Sequence, residues 1–405
     1  MRLARTCLLL FGAALSTSRG LFAQEAPPDT ALRPAAIAAD QLPVRLRIDP
    51  RYAHAEPLLF TTPRGVKALY VNAWAFGSSK LRQLVHLADS TEINAFVIDV
   101  KDDTGCLLYP SAVPTAQEIG ANDCVRTRNI RARLDTLLAH GIYPIARIVV
   151  AKDPRLAERK PQWSVQSRDG GQWRDRINIA WVDAYNDSVW IYAAQLAAEA
   201  VRLGFAEVQF DYVRFPDEPR ARLATAIFPA HRPGQSQREA IRRHVALLKD
   251  RLRPFGVPVT FDIFGLTASA TDDLGIGQVW EDFTRVADVV LPMVYPSHYY
   301  RGAFGFQHPN AEPYRVVYNA LKEAITRSHA SEGRAEIRPF LQAFTLGRRL
   351  PRYTPFEIRE EIRATESLGI RSWVLWNPRS VYPRDALRPY RTSFHAAGTL
   401  SGGGE

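Results

Sequence analysis

The chain has 405 residues, of which 46% are hydrophobic and 23% are charged. This balance is typical of a folded globular protein and argues against a chain that is disordered throughout. The formal net charge of +10 would suit a nucleic acid, an anionic lipid surface or an acidic polymer. Because the basic residues are scattered and form no stripe with interleaved aromatic residues, we interpret them as a solvated basic surface and expect no nucleic-acid partner.

The first 23 residues have the pattern of a secretory signal peptide. Arg2 and Arg5 precede a short apolar run, and Ala23 stands at the predicted cleavage position. The run is too short to span a membrane as a helix, and no later run is long enough, so we expect no stable membrane insertion. The sequence therefore predicts a periplasmic or extracellular protein.

Two further segments are predicted to lie outside the folded domain. Residues 24–62 are rich in Ala, Pro and polar residues, which is typical of a flexible linker followed by an extended lead-in. We expect residues 24–40 to be disordered and to make few contacts, and we expect a disordered tail at residues 396–405. The folded domain is then predicted to comprise residues 63–395.

Between these ends, apolar strands alternate with helices. The predicted strands are residues 66–75, 95–100, 141–150, an alternating segment between Gly204 and Pro216, 257–264, 287–295, 337–344 and 370–376. The predicted helices are residues 79–89, 128–140, 187–203, 237–252, 314–328 and 355–368. Eight such units predict an α/β fold, a single-domain (β/α)8 TIM barrel. A doubly wound open sheet is the alternative, but no glycine-rich phosphate turn follows the first strand.

After removal of a signal peptide, the chain would keep two cysteines, Cys106 and Cys124. Both lie in the loop predicted after the second strand. Paired cysteines in an exported chain favour a disulfide bond, with two free thiols as the alternative.

The fourth predicted strand carries the first candidate catalytic residue. Alternation places Gln209 and Asp211 on one face, and Phe210 and Tyr212 on the other. A carboxylate at the end of a buried strand is costly unless it has partners or a function. Since (β/α)8 enzymes carry their chemistry at the C-terminal ends of the strands, Asp211 is placed where a catalytic carboxylate is expected.

Polar and aromatic residues recur at the ends of the other strands. The further candidates are Asp99, Lys101, Asp102, Arg147, Gln209, Arg214, Asp262, Tyr295, Gln342 and Trp376. Aromatic rings stack on sugar rings, polar groups bind hydroxyls, and paired carboxylates cleave glycosidic bonds. We expect the C-terminal ends of strands two to five to bring Asp99, Arg147, Asp211 and Asp262 to one cavity, with Tyr295 and Trp376 on the opposite wall. At least one carboxyl pKa should be raised by burial, and the pKa of the carboxyl that faces Arg147 should be lowered.

Four segments resemble a bacterial family regarded as glycoside hydrolases and formerly described as a domain of unknown function. They are VIDVKDDTG at residues 97–105, WVDAYN at 181–186, VQFDYVRFP at 208–216 and PMVYP at 292–296. The resemblance covers about residues 67–378, and the fourth-strand string is its most specific part. It implies a TIM barrel, distantly similar to the alpha-amylase-type barrels, with a carbohydrate substrate.

This chain matches the catalytic pattern of the amylase-type barrels only in part. Asp211 matches the fourth-strand nucleophile of those barrels, but Gln209 stands where they carry an Arg. They carry a Glu as the acid after strand five, whereas here Asp262 ends that strand and Glu281 lies farther along. Gln342 occupies the strand that carries their third carboxylate.

We therefore expect a glycoside hydrolase that acts on an envelope or extracellular glycan. Asp211 is the expected nucleophile or charge stabiliser, and Asp262 or Asp102 the expected general acid. The expected substrate contacts are Asp99, Lys101, Arg147, Gln209, Arg214, Tyr295, Gln342 and Trp376. No cofactor is expected, because no His, Cys and Asp spacing resembles a metal site.

Structural alternatives accompany these assignments. Asp211 could simply pair with Arg147 or Arg214, and Lys101 could neutralise Asp99 on a shared face. Trp163, Trp173 and Trp181 form either a lid or the core of their own loop. The alternative functions are a non-catalytic polysaccharide-binding barrel and a binder of anionic polymers. The sequence specifies neither the sugar nor the oligomeric state.

Overall fold

The computed structural model describes residues 58–347 and 351–390. The predicted signal peptide, the C-terminal tail and nearly all of the predicted linker lie outside the described residues. The predicted disorder of residues 24–40 therefore stays a prediction.

Eight parallel strands close into a barrel, which confirms the predicted (β/α)8 fold. The strands are β1 Lys67–Val71, β2 Ala95–Lys101, β3 Tyr143–Val149, β4 Glu207–Asp211, β5 Val259–Phe264, β6 Val289–Met293, β7 Phe340–Gln342 and β8 Trp373–Trp376. They pair in chain order from β1 to β6, β8 pairs with β1 and β7, and β7 closes the barrel on β6 through Phe340 and Met293. The short strand Glu336–Ile337 also pairs with β6.

Seven helices follow the strands around the barrel within the described residues. They are α1 Lys80–Asp89, α2 Ile130–Ala139, α3 Asp187–Leu203, α4 Gln237–Leu252, α5 Trp280–Thr284, α6 Pro313–Ala330 and α7 Pro355–Ser367. Further helical segments of four to six residues lie in the loops at Ala73–Gly77, Pro114–Glu118, Pro154–Arg159 and Arg220–Leu223. A small antiparallel pair joins Gln166–Ser167 to Ala226–Ile227. No helix in the described part of the chain is both long and apolar enough to cross a membrane.

Local capping signals explain where several elements begin and end. The Asn186 side chain accepts a hydrogen bond from the Ser188 N–H and starts α3, and Gly204 ends it with a φ of 116°, a conformation that favours glycine. The first strand was predicted to reach Ala75 but ends at Val71. The Asn72 side chain accepts a hydrogen bond from the Ala75 N–H at 2.8 Å and starts a short helix there.

The core has two layers, one inside the barrel and one between the barrel and the helices. Val97, Ile145 and Leu291 belong to the inner layer. On β4, Phe210 points outward and stacks on Phe261 with ring centroids 5.7 Å apart. The inward-facing side chains of β4 are all polar and buried, so this strand places Glu207, Gln209 and Asp211 inside the barrel.

The loop after β2 is closed by the predicted disulfide bond. The Cα atoms of Cys106 and Cys124 are 5.7 Å apart, and the sulfur atoms are bonded. This distance lies within the range that disulfide geometry allows, so the prediction is confirmed.

The tryptophans of the loop after β3 mostly build that loop's own core. Trp173 and Trp181 are buried, and the indole N–H of Trp173 donates to the Arg222 carbonyl at 3.3 Å. The Trp181 indole donates to Asp175 at 3.0 Å, and one edge of this ring also faces the cavity described below.

Candidate active site

A cavity of about 370 Å³ lies at the C-terminal ends of the barrel strands. Its volume is within the range of sites that hold small molecules or sugar units. The lining residues that bear on its chemistry are Arg147, Lys152, Asp211, Arg214, Glu218, Tyr295 and Trp376. The C-terminal end of the barrel is where the fold places its active sites.

Arg147 is the centre of the polar network beneath the cavity. Its guanidinium donates to Asp211 Oδ2 from Nε at 3.1 Å and from Nη2 at 2.5 Å. Its Nη1 donates to Asp99, and its Nε lies 3.6 Å from Asp262 Oδ2. One cation thus joins the three carboxylates of β2, β4 and β5. The four side chains converge, but the prediction that all of them reach the cavity is wrong for Asp99 and Asp262, because only Arg147 and Asp211 line it.

The Asp99 carboxylate is buried below this network. It accepts a hydrogen bond from the Tyr70 hydroxyl as well as from Arg147. Burial raises the pKa of Asp99 to about 6, and Arg147 and the Tyr70 hydroxyl only partly offset that increase. The pKa of this Arg147-facing carboxyl is therefore raised, and the predicted lowering is wrong for Asp99 because desolvation outweighs the ion pair.

Asp262 is also buried and does not line the cavity. Its Oδ2 accepts a hydrogen bond from Gln209 Nε2 at 3.1 Å, and its side chain also contacts Asp211. Burial, and then the neighbouring Asp211 charge, hold the pKa of Asp262 well above its usual range. The prediction that burial raises at least one carboxyl pKa is therefore confirmed for Asp262. Ionising both of two adjacent buried carboxyl groups costs more free energy than ionising one.

Asp211 borders the open cavity although it is only 5% exposed. Both Arg147 hydrogen bonds end on Oδ2. The guanidinium therefore does not bind both carboxylate oxygens of Asp211, as it would in a bidentate ion pair. The other oxygen, Oδ1, accepts the Tyr212 backbone N–H at 2.5 Å. The carboxylate is held firmly and still faces open space, which is what a reacting group requires.

The backbone turns sharply immediately after Asp211. Tyr212 has a φ of 54°, a strained value for a residue with a side chain. This turn brings the Tyr212 ring to the cavity wall, where Lys152 lies 5.3 Å and Arg214 4.8 Å from its centroid. The simple alternation, which placed Tyr212 beside Phe210 on the outer face, does not extend past the strand end.

An aromatic cluster forms another part of the wall. Tyr295 stacks on Trp376 with centroids 5.5 Å apart and planes inclined by 28°, and Phe344 meets Trp376 edge-on at 5.0 Å. Tyr295 and Trp376 both line the cavity, as expected from their strand ends. Such a wall offers an apolar surface on which a sugar ring can stack.

Lys101 and Asp102 do not line the cavity. A register shift in β2 between Asp99 and Lys101 turns Lys101 to the outer face, where its Nζ pairs with the buried Asp153 at 2.5 Å. Lys101 therefore does not neutralise Asp99, and the shared face assumed for the two residues is wrong. The Asp102 carboxylate accepts hydrogen bonds from Thr104 N and Oγ1 at 2.9 and 2.6 Å, so it stabilises its own turn.

Gln342 is buried and holds the neighbouring loops. Its Oε1 accepts the Ser297 N–H at 3.1 Å, and its Nε2 donates to the Phe344 carbonyl at 2.9 Å. Gln209 is equally buried and contacts Asp262 rather than open space. These two glutamines support the site from behind.

Glu218 borders the cavity and was missed in the sequence. Its side chain is only 5% exposed, and the Arg222 Nε lies 3.6 Å from its Oε2. The residue belongs to the Pro-rich segment that follows β4, and only the fold shows that this segment turns back over the cavity. The one signal in the sequence that could have pointed to Glu218 was its position shortly after the VQFDYVRFP string.

Asp99 makes stability depend on pH. A carboxyl whose pKa is raised on folding stabilises the folded state fully below its unfolded pKa, and this contribution is lost as pH rises through the folded pKa, here about 6. Between pH ~4 and pH ~6.5 we expect the wild type to lose about 2 kcal/mol of unfolding free energy that Asp99→Asn does not lose. Urea unfolding across this range measures the difference.

The exposed Asp250 supplies the control for this pH dependence. Asp250→Asn should leave the profile of the wild type unchanged, because its side chain is 57% exposed. Identical pH slopes for the wild type and Asp99→Asn would contradict the assignment.

Among the described residues, no group of three or more His, Cys, Asp or Glu side chains is arranged to hold a metal ion. The chemistry that the site offers is that of carboxyl groups, a guanidinium and aromatic rings.

Several solved structures of bacterial proteins are similar to this chain. A hypothetical protein from Ruminiclostridium thermocellum is 37% identical, and the match covers 51% of this chain and 98% of that chain with a TM-score of 0.44. The PgaB glycoside hydrolase domain from Bordetella bronchiseptica is 14% identical, with 80% and 99% covered and a TM-score of 0.54. The PelA glycoside hydrolase domain from Pseudomonas aeruginosa is 15% identical, with 81% and 98% covered and a TM-score of 0.43. At such low identity, the likeness to PgaB shows the fold alone.

No curated protein matches the chain. A family model described as "Putative glycosyl hydrolase domain" matches residues 68–382, which include all the barrel strands except the first residue of β1. The chain therefore belongs to this family of glycosyl hydrolases.

Proposed function

We propose that the protein hydrolyses a glycan in this cavity and that Asp211 acts at the anomeric carbon, as nucleophile or charge stabiliser. The observation that carries the proposal is the position of Asp211. It borders open space while Arg147 and the Tyr212 N–H hold its carboxylate in one orientation. A fixed carboxylate facing a sugar-sized cavity is the central requirement of glycosidic cleavage.

The groups behind Asp211 prepare it for this role. Burial and the neighbouring Asp211 charge raise the pKa of Asp262, which favours its protonated form. In that form Asp262 can donate a hydrogen bond to Asp211 without adding a second negative charge. Arg147 supplies a compensating positive charge at the same layer of the barrel. In the register of the sheet Arg147 lies directly beside Gln209. In amylase-type barrels the corresponding Arg stands on the fourth strand, whereas here the guanidinium comes from the neighbouring strand β3.

The proton donor to the leaving group is assigned differently from the sequence-based expectation. Asp262 contacts Asp211 itself, and Asp102 stabilises a turn, so neither borders the cavity where a leaving group would lie. We assign the donor role to Glu218, whose Oε2 has no hydrogen-bond partner among the described residues. Asp217 also lines the cavity but is exposed, whereas a general acid is favoured by burial.

The aromatic wall would bind the sugar ring. Tyr295 and Trp376 offer ring faces and edges next to the carboxylates, and a sugar stacked there would be held beside Asp211.

We also propose that the enzyme works outside the cytoplasm. The signal-like N-terminal sequence and the Cys106–Cys124 disulfide support this location, because disulfides persist in oxidising compartments.

The roles of Asp211 and Glu218 can be distinguished with two substrates, one whose leaving group needs a proton and one whose leaving group does not. Glu218→Gln should slow hydrolysis of an oligosaccharide by roughly 10²- to 10⁴-fold, because the departing alcohol needs a proton. It should barely slow hydrolysis of the matching dinitrophenyl glycoside, whose leaving group departs unprotonated. Asp211→Asn should slow both, and initial rates on the two substrates measure the difference.

Asp217→Asn is the matched control for this pair of substrates. It removes a neighbouring carboxylate that also lines the cavity and should leave the ratio of the two rates unchanged. An equal loss on both substrates in Glu218→Gln would show that Glu218 is not the proton donor.

A further inference from the structure

Four cations line the cavity, and three of them have acidic neighbours. Arg147 is held by the buried carboxylates, and Lys152 Nζ lies 2.8 Å from Asp103 Oδ2. Arg176 Nη1 lies 4.0 Å from Glu218 Oε1, and its side chain is 66% exposed. These three charges are compensated within the protein or by water.

Arg214 differs from the other three. Among the described residues, no carboxylate lies within 4.0 Å of its guanidinium, and its polar contact is a hydrogen bond from Nη1 to the Phe215 carbonyl at 3.0 Å. Its guanidinium lies over three aromatic rings, with centroids 4.8 Å away for Tyr212, 5.3 Å for Trp181 and 5.8 Å for Phe264. The cavity wall therefore contains a positive charge that the described side chains leave without an anion.

The surroundings of Arg214 favour an anionic ligand. Partial burial among apolar rings reduces the hydration of the guanidinium, so a bound anion interacts more strongly there than at a solvated surface. The rings also fix the side chain, which lowers the entropy that is lost when a ligand binds. A guanidinium presents a planar fork of N–H donors, and its natural complement is a carboxylate.

The position of Arg214 relates this charge to the reacting sugar. It stands three residues after Asp211, and both residues line the same cavity. An acidic group on the sugar at the cleavage point, or on the next sugar, would lie within the same enclosure. The net charge of +10 would in addition favour the approach of a polyanion.

We propose that Arg214 binds a sugar carboxylate and that the substrate is an acidic glycan containing uronic-acid units. This inference rests on the proposed function for the location of the substrate. It goes beyond that function because it names the chemical class of the glycan and the residue that selects it.

The experiment compares acidic oligosaccharides with their neutral counterparts. Oligogalacturonate, oligoglucuronate and oligomannuronate are each titrated calorimetrically into the full-length protein, together with the same oligomers after reduction of their carboxyl groups. We expect at least one acidic oligomer to bind about tenfold or more tightly than its reduced form, as a charge-assisted contact allows. Arg214→Gln should remove this preference and leave the weaker binding of the reduced oligomer unchanged.

Two further variants test whether the preference for the acidic oligomer depends on Arg214 itself. Arg176→Gln removes a more exposed cation of the same wall and should retain the preference. Arg214→Lys keeps the charge without the planar fork and should retain part of it, which also covers the case in which Arg214→Gln does not fold. A rise in salt concentration should weaken the acidic oligomer more than the reduced one.

Several outcomes would overturn the inference. They are equal binding of the acidic and reduced forms for all three oligomers, an equal loss of both forms in Arg214→Gln, and Arg214-dependent binding of sulfated but not carboxylated sugars. Hydrolysis of neutral glycans without any acidic preference would refute the inference and leave the proposed function standing. Arg214-dependent binding without hydrolysis would refute the proposed function and leave the inference standing.

Discussion

Asp211→Asn is expected to reduce glycan hydrolysis by roughly 10³-fold or more, the largest catalytic effect that the structure implies. The substitution removes the negative charge that meets the anomeric carbon and replaces it with a neutral group of nearly the same shape. The amide oxygen can still accept a hydrogen bond from the Tyr212 N–H or from Arg147, and Arg147 keeps its ion pair with Asp99, so the barrel should remain folded. Initial rates and a thermal unfolding curve measure the two properties together.

The loss of activity should not extend to binding. The aromatic wall and Arg214 are unchanged in this variant, so oligosaccharide affinity should stay within a few fold of the wild type. Asp217→Asn, which alters an exposed carboxylate at the same cavity, should retain most of the activity. Residual hydrolysis by Asp211→Asn at more than about a tenth of the wild-type rate would assign the reaction to another residue.

Arg147→Met is expected to produce the largest loss of stability. Arg147 is the shared partner of Asp99 and Asp211 and lies 3.6 Å from Asp262. Removing one partner of a buried ion pair leaves an uncompensated charge and costs about 3–5 kcal/mol at neutral pH. Urea unfolding at pH 7 measures the change.

This destabilisation should itself depend on pH. Without the guanidinium, ionised Asp99 becomes more costly, and the cost falls as pH drops and Asp99 takes up a proton. The difference between Arg147→Met and the wild type should therefore shrink from pH 7 to pH 5. Arg176→Gln, at a mostly exposed position, should change stability by less than about 0.5 kcal/mol. A difference for Arg147→Met that is small, or that does not vary with pH, would contradict the central role given to this residue.

The regular part of the fold could be predicted because it follows from periodicity. Alternation on the fourth strand placed Gln209 and Asp211 on one face, and in the structure that face lies inside the barrel. The convergence of Asp99, Arg147 and Asp262 follows in turn from the closure of parallel strands, whose C-terminal ends must share one face.

The errors arise where the backbone departs from regular geometry. The register shift in β2 turns Lys101 away from Asp99, and the positive φ of Tyr212 moves its ring into the cavity wall. Neither departure has a signature in a single sequence, because Lys and Tyr are ordinary strand residues. Glu218 was missed for a related reason, since the path of an irregular loop is set by tertiary contacts.

The pKa of Asp99 shows where a qualitative electrostatic rule was insufficient. The sequence suggested that an aspartate facing Arg147 would have a lowered pKa. In the fold the same guanidinium is shared with Asp211 and lies near Asp262, while Asp99 is almost completely buried. The balance between pairing and desolvation depends on burial, which the sequence alone does not supply.

A crystal structure of Asp211→Asn with a bound oligosaccharide would show whether Asp211 is the carboxylate that reacts at the anomeric carbon. We expect a sugar ring stacked against Tyr295 or Trp376, with its anomeric carbon about 3–3.5 Å from a side-chain oxygen of residue 211. The glycosidic oxygen should face Glu218. A sugar bound with its anomeric carbon away from residue 211, or outside the cavity, would contradict the assignment of Asp211 as the reacting carboxylate.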